Sequence, residues 1–266
     1  MKRPNAPTIS SPSKGENRYR LTIAYDGTSF HGFARNPDVD TVEGILIEAI
    51  AKVLGDTPML TCAGRTDAGV HAKAQVVSFD SAPFNIAKMQ KALNGLCAPS
   101  VVVSSIEKTS NDFNARFSAK SRTYRYQVLN QVDPDPFLAR YSWHIRVPIS
   151  IEKMNQAGQQ LTGEHDFSSF CRKRTVEIEG QQILASLLRE VKSLRWEVAD
   201  RNLLELWITA NAFCHQMVRS ITGTLVDIGI GKINESSITE ILNARDRNIA
   251  GQVAPPHGLT LWNVSY

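Results

Sequence analysis

Between two apolar runs that read as strands, Pro58 to Cys62 and Ala74 to Phe79, stands the stretch Cys62-Ala63-Gly64-Arg65-Thr66-Asp67-Ala68-Gly69-Val70-His71-Ala72. A segment held at both ends by strands is a loop of restricted shape, and the rest of the chain has to fold around it. Gly64 and Gly69 bracket one base and one acid, and glycine allows close backbone approach to a ligand. Arg65 and Asp67 are two apart, so on an extended backbone their side chains leave the same face. A guanidinium beside a carboxylate favours the charged acid and orients it, which is the setting of an ionised nucleophile. By spacing alone, such a pair is more often a brace for its loop than a catalytic pair.

At 266 residues and 42% hydrophobic content, the chain can bury a full core as one large or two modest domains. No run approaches the ~18 apolar residues of a membrane span, and no charged-then-apolar start suggests secretion. Cys62, Cys97, Cys171 and Cys214 are widely spaced, with no Cys-x-x-Cys and no histidine cluster nearby. That spacing argues against zinc and against a disulfide framework, and predicts reduced thiols in a cytoplasmic protein.

The formal net charge is +4, and its placement matters more than its size. Lys2, Arg3, Lys14, Arg18 and Arg20 against Glu16 already make up about +4, so the remainder of the chain is close to neutral. Elsewhere positives gather at Lys108, Arg116, Lys120, Arg122 and Arg125, and at Arg172-Lys173-Arg174. Such clusters suit a phosphate backbone, though most are solvated faces.

Residues 1–17 read as a disordered basic tail. Alternation from Arg20 to Tyr25 predicts a strand with Leu21, Ile23 and Tyr25 on one face, closed by Asp26-Gly27. The loop that follows carries Phe30, His31, Phe33 and Arg35, which could grip single-stranded RNA or could be a turn with core aromatics. Thr41 is a plausible cap for a core helix ending at Gly55, and a short helix spans Asn85 to Asn94. Val101-Val102-Val103 starts a strand. Another runs through Arg122, Tyr124 and Tyr126, with Thr123 and Arg125 on the opposite face. There a tyrosine between arginines could stack on an extruded base while Arg122 and Arg125 hold phosphates, or the rings could simply pack across strands. Asp133-Pro134-Asp135-Pro136 is a turn-rich break and divides lobes at 18–132 and 133–266.

Beyond that break the pattern predicts a helix from Ile151 to Leu161, strands at Val191–Val198 and Leu203–Thr209, a helix over Phe213–Leu225, a helix over Ser237–Ala244 and a final strand after Pro255-Pro256-His257-Gly258. In the helix over Phe213–Leu225, Phe213, Met217, Ile221 and Leu225 form an apolar stripe, with His215 and Arg219 pointing elsewhere. His165-Asp166 with Ser168-Ser169 lacks both the ligand count of a metal site and a nucleophile elbow.

The string Gly64-Arg65-Thr66-Asp67-Ala68-Gly69-Val70-His71-Ala72 resembles the signature of the tRNA pseudouridine synthase A family, whose Asp in this string is the nucleophile. Further strings are similar to family elements: Tyr25 to Asn36, where Phe33 and Asn36 replace the common Trp and Gln; Phe113 to Tyr126; Gly163 to Phe170, with Arg172 to Arg174 after it a loop that could touch RNA; and Asn211 to Leu225. The resemblance spans roughly residues 19 to 266. It implies Asp67 as catalytic nucleophile, Arg65 and Arg219 as the cations that keep it charged and aligned, Tyr124 packed on the target uracil, and Leu259 lining the uracil pocket. Arg35, Arg122, Arg125, Arg172, Lys173 and His215 are the candidate RNA contacts.

The fold implied is α+β, two related lobes each a mainly antiparallel sheet backed by helices, with the active cleft between them. The activity implied is that of an isomerase, converting uridine to pseudouridine at positions 38, 39 and 40 of the tRNA anticodon arm without cofactor or metal. A homodimer is implied, with no membrane and no other protein partner. Two readings stay open beside it: the same reaction on another RNA, and a tRNA-binding chaperone with no chemistry.

Overall fold

The computed structural model describes residues 11–13, 15–172, 175–178, 181–200 and 202–266. Two compact units divide the chain, one running to Lys120 and including Tyr266, the other Ser121–Ser265.

The first unit consists of β1 (Asn17–Tyr25), α1 (Val42–Leu54), β2 (Thr61–Cys62), β3 (His71–Ser81), α2 (Ile86–Cys97) and β4 (Val101–Lys108). Strand β1 is antiparallel to both β3 and β4, and β2 pairs with β3. The predicted alternation holds, with Leu21, Ile23 and Tyr25 all buried. The strand starts earlier than Arg20 because Arg18 is itself buried, its guanidinium bonded to both carboxylate oxygens of Asp80 at 2.7 Å. Arg18 is therefore a structural cation, and Asp80 raises its pKa despite the cost of burial. Helix α1 begins where Thr41 accepts from Gly44 N–H and stops at Gly55, as its end signals predict. Asn85 caps α2 in the same way.

The second unit consists of β5 (Ser121–Asn130), β6 (Trp143–Ile145), α3 (Ile151–Gln159), β7 (Gly163–Asp166), β8 (Thr175–Ile178), β9 (Gln181–Leu184), β10 (Leu188–Asp200), β11 (Leu203–Ala210), α4 (Met217–Gly229), α5 (Ile238–Ala244) and β12 (Leu259–Ser265). Its strands run in the order β12-β5-β11-β10-β7, all antiparallel neighbours, with β6 parallel to β5 and β8 and β9 a separate hairpin. Each unit is thus a mainly antiparallel sheet with helices, and no helix among the described residues is long and apolar enough to cross a membrane.

Three expectations need correction. The units meet at Lys120/Ser121, not at the Asp133-Pro134-Asp135-Pro136 turns, because β5 finds its partners in β11 and β12. Helix α4 starts at Met217, not Phe213, because Gln216 has φ 65, a left-handed conformation that a helix cannot pass through. His215 and Phe213 therefore lie on the preceding loop, and α4 is buried on every side rather than along one stripe. Finally, Cys171 and Cys214 form a disulfide, their Cα atoms 5.8 Å apart, although 43 positions separate them in the chain. Spacing along the sequence carried no trace of that pairing. Cys62 and Cys97 are free.

Candidate active site

Strand β2 ends at Cys62 and β3 starts at His71, so the intervening loop is pinned at both ends as its flanking apolar runs predict. Inside it, exposure alternates: Arg65 is exposed, Thr66 buried and Asp67 half-exposed. Arg65 and Asp67 face outward, and Thr66 faces the core. The loop is braced from within, Gln75 Nε2 donating to Gly64 O at 2.6 Å and Val70 N–H to Asp67 O at 3.1 Å. Arg65 makes no ion pair among the described residues, so the Arg-x-Asp salt bridge suggested by spacing is not what holds this loop.

The bracing comes instead from the segment after β1. Phe33 N–H donates to Thr66 O at 3.0 Å, and Gly69 N–H donates to Phe30 O at 3.3 Å. Gly32 has φ 96, and a Cβ there would lie 2.9 Å from Thr66 O, so only glycine permits this approach. Phe30 and Phe33 are buried. Of the two readings of this aromatic loop, the core one holds for these rings, which leaves exposed Arg35 as its outward cation.

Just before the loop, the Cys62 thiol is pushed up to about 12, first by burial and then by the carboxylate of Glu43, against the opposing pull of Arg65 and Arg116. It is a neutral thiol and not a nucleophile at ordinary pH.

In the second unit, Tyr124 lies on β5 opposite Ile208 of β11 and Leu261 of β12. Its ring meets Phe213 edge-on, centroids 5.1 Å apart. Phe213, read as helical core, is thus the ring that sets the plane of Tyr124. Leu259 is buried at the start of β12, opposite Tyr126. Every residue of α4 is buried except Arg219. Arg219 itself is half-buried, its Nε donating to Ala254 O at 2.7 Å. The Tyr126 hydroxyl donates to Pro255 O at 2.8 Å, and burial raises its pKa although Arg219 opposes this.

The two arginines flanking Tyr124 do not behave as surface phosphate contacts. Arg122 is buried and donates to Asn211 O at 2.8 Å. Arg125 pairs with Glu205 at 3.2 Å and lies over the Trp262 ring at 4.2 Å. Burial outweighs the pull of Glu205 and lowers its pKa. Both guanidiniums, expected to contact RNA, are engaged by protein groups of the second unit. Arg172 and His215 are both exposed and brought together, Arg172 N–H donating to His215 O at 3.1 Å beside the disulfide. Lys173 lies outside the described residues. Among those residues no group of three His, Cys, Asp or Glu could hold a metal ion.

A family model described as tRNA pseudouridine synthase matches residues 21–118 and 157–266. The chain belongs to this family. Among curated relatives, tRNA pseudouridine synthase A of Brevibacillus brevis is 41% identical over 253 residues, covering 94% of this chain and 99% of the relative. The Bacillus subtilis protein of that name is 40% identical over 254 residues, with the same coverage. That of Halalkalibacterium halodurans is 40% identical over 246 residues, covering 91% and 90%. A solved chain titled "Crystal Structure of a Cbf5-Nop10-Gar1 Complex" covers 91% of this chain and 57% of its own at 11% identity, with a TM-score of 0.28 that carries no weight. The matched stretches of the pseudouridine synthase family include Arg65, Asp67, Arg219 and Leu259. Tyr124 falls between them.

Proposed function

We propose that this chain isomerises uridine to pseudouridine at positions 38 to 40 of the tRNA anticodon arm, with Asp67 as the nucleophile. The observation that carries the reading is the nine-residue string from Gly64 to Ala72, displayed on a loop whose Asp67 side is open to solvent, in a chain 41% identical to a tRNA pseudouridine synthase A over nearly its whole length.

The reaction breaks the bond between uracil nitrogen and the sugar carbon and makes one from a uracil ring carbon to that same carbon. A proton leaves that ring carbon and the freed nitrogen gains one, so nothing is oxidised or reduced. The base must turn between the two bonds, and a carboxylate that bonds transiently to the substrate keeps the fragments from parting. A target in or beside a stem has to be flipped out and received by a stacking ring, the role we assign to Tyr124, with Phe213 fixing its plane. Leu259 supplies an apolar wall, Arg219 a cation for the carboxylate, and exposed Arg65 a side chain long enough to fill the space left in the stem. Arg35, Arg172 and His215 are the outward groups suited to the RNA backbone. The working form in this reading is a cytoplasmic homodimer.

The test is Asp67→Asn on anticodon-arm RNA. Binding kept with pseudouridine lost supports the reading; undiminished product refutes it.

A further inference from the structure

Of the polar side chains in the nucleophile loop, Thr66 is the buried one, and two separate bonds grip it. Its carbonyl accepts from Phe33 N–H at 3.0 Å. Its hydroxyl shares a buried hydrogen bond of 2.8 Å with the phenol of Tyr25, forty-one positions earlier. Tyr25 is the last residue of β1, and the ladder to β3 shifts register between Ile23 and Tyr25, which sets Tyr25 opposite Ala72 just past the loop. The same corner is tied a third time, where Gly27 N–H donates to His71 Nδ1 at 3.0 Å.

Tyr25 and Thr66 are 5% and 7% exposed, and their hydroxyls are turned to each other rather than to solvent. The bond between them can influence the reaction only by fixing the backbone on which Asp67 stands. It does so one residue from the carboxylate, where rotation about a single peptide would redirect the Asp67 side chain. Buried away from water, the hydroxyl pair favours the loop conformation in which its bond is made.

We propose that Tyr25, through Thr66, is a positioning residue that aims Asp67. This rests on the reading of Asp67 as nucleophile. Losing the bond should lower turnover by about tenfold, below the ~100-fold that a misplacement of ~1 Å can cause, because the Phe33 bond remains.

The test is steady-state pseudouridine formation on anticodon-arm RNA by the full chain carrying Tyr25→Phe, Thr66→Val, both together, or Thr66→Ser. The expected result is a fall in kcat with KM within about twofold, a double variant no worse than either single one, and near-normal kcat for Thr66→Ser, which keeps the hydroxyl. Should Tyr25→Phe fail to fold, the near-isosteric Thr66→Val carries the same test. Unchanged kcat in the single variants, effects that multiply in the double, or a change in KM alone would overturn the proposal. Asp67→Asn run beside them separates the two ideas: full activity there sinks the nucleophile reading, whereas an inactive Asp67→Asn beside an unimpaired Tyr25→Phe sinks only the positioning role.

Discussion

Arg219 and Ala254 are bonded reciprocally: Arg219 Nε donates to the Ala254 carbonyl at 2.7 Å, and Ala254 N–H donates to the Arg219 carbonyl at 3.1 Å. The segment carrying Ala254 is held in turn, Gln252 donating to buried Asp227 from its backbone at 3.3 Å and from its side chain at 3.2 Å. One edge of the guanidinium is thereby fixed against backbone, and the orientation of its remaining donors follows.

Replacing Arg219 by lysine keeps the charge and loses that orientation, since an ammonium has no planar fork to lock. Arg219→Lys should reduce turnover roughly 10- to 100-fold, the equivalent of the ~1.5–3 kcal/mol of a charge-assisted hydrogen bond. Stability should change by only about 1 kcal/mol, because Arg219 is the one residue of α4 outside the core. Product formation and thermal unfolding measured on the same preparation check both halves.

Two glycines in helices should respond to alanine with opposite signs. A Cβ on Gly223 of α4 would run into the carbonyl of Gln252, which is backbone and cannot swing aside. Gly223→Ala should cost on the order of 1–3 kcal/mol, and more if the Ala254 segment is displaced with it. Gly95 sits in α2 with nothing within 4 Å of a Cβ, so Gly95→Ala should stabilise by about 0.5–1 kcal/mol. Denaturant midpoints of the two variants against the parent decide the matter.

The Cys62 thiol adds a dependence on alkaline pH. An unfolded cysteine loses its proton near ~8.5, whereas folding holds Cys62 protonated up to about 12. Below the lower value both states carry the proton and pH is without effect. Above it the unfolded chain releases a proton that the folded chain keeps, so stability falls as pH rises. Between about pH 8 and about pH 10 the parent should lose stability more steeply than Cys62→Ala, and Cys62 should resist alkylation at the lower end.

Much of the local structure could be read from residue order. Thr41 and Gly55 bound α1 as expected, Asn85 caps α2, and the alternation of Leu21, Ile23 and Tyr25 gives the buried face of β1. The misreadings have a common origin. The i, i+4 spacing from Phe213 to Leu225 suited a longer helix, but Gln216 takes a left-handed angle that no periodicity announces. Arg122 and Arg125 looked like surface cations, yet their partners Asn211, Glu205 and Trp262 lie far along the chain.

Residue order by itself determined the signature loop, an acid two places from a base between glycines, and most of the helices and strands, because caps and periodicity act over a few residues. Tertiary structure alone decided that Thr66 meets Tyr25, that α4 leaves only Arg219 uncovered, and that Cys171 bonds to Cys214. Those pairings join segments tens of positions apart, and burial and hydrogen-bond geometry select them only after the sheets have formed.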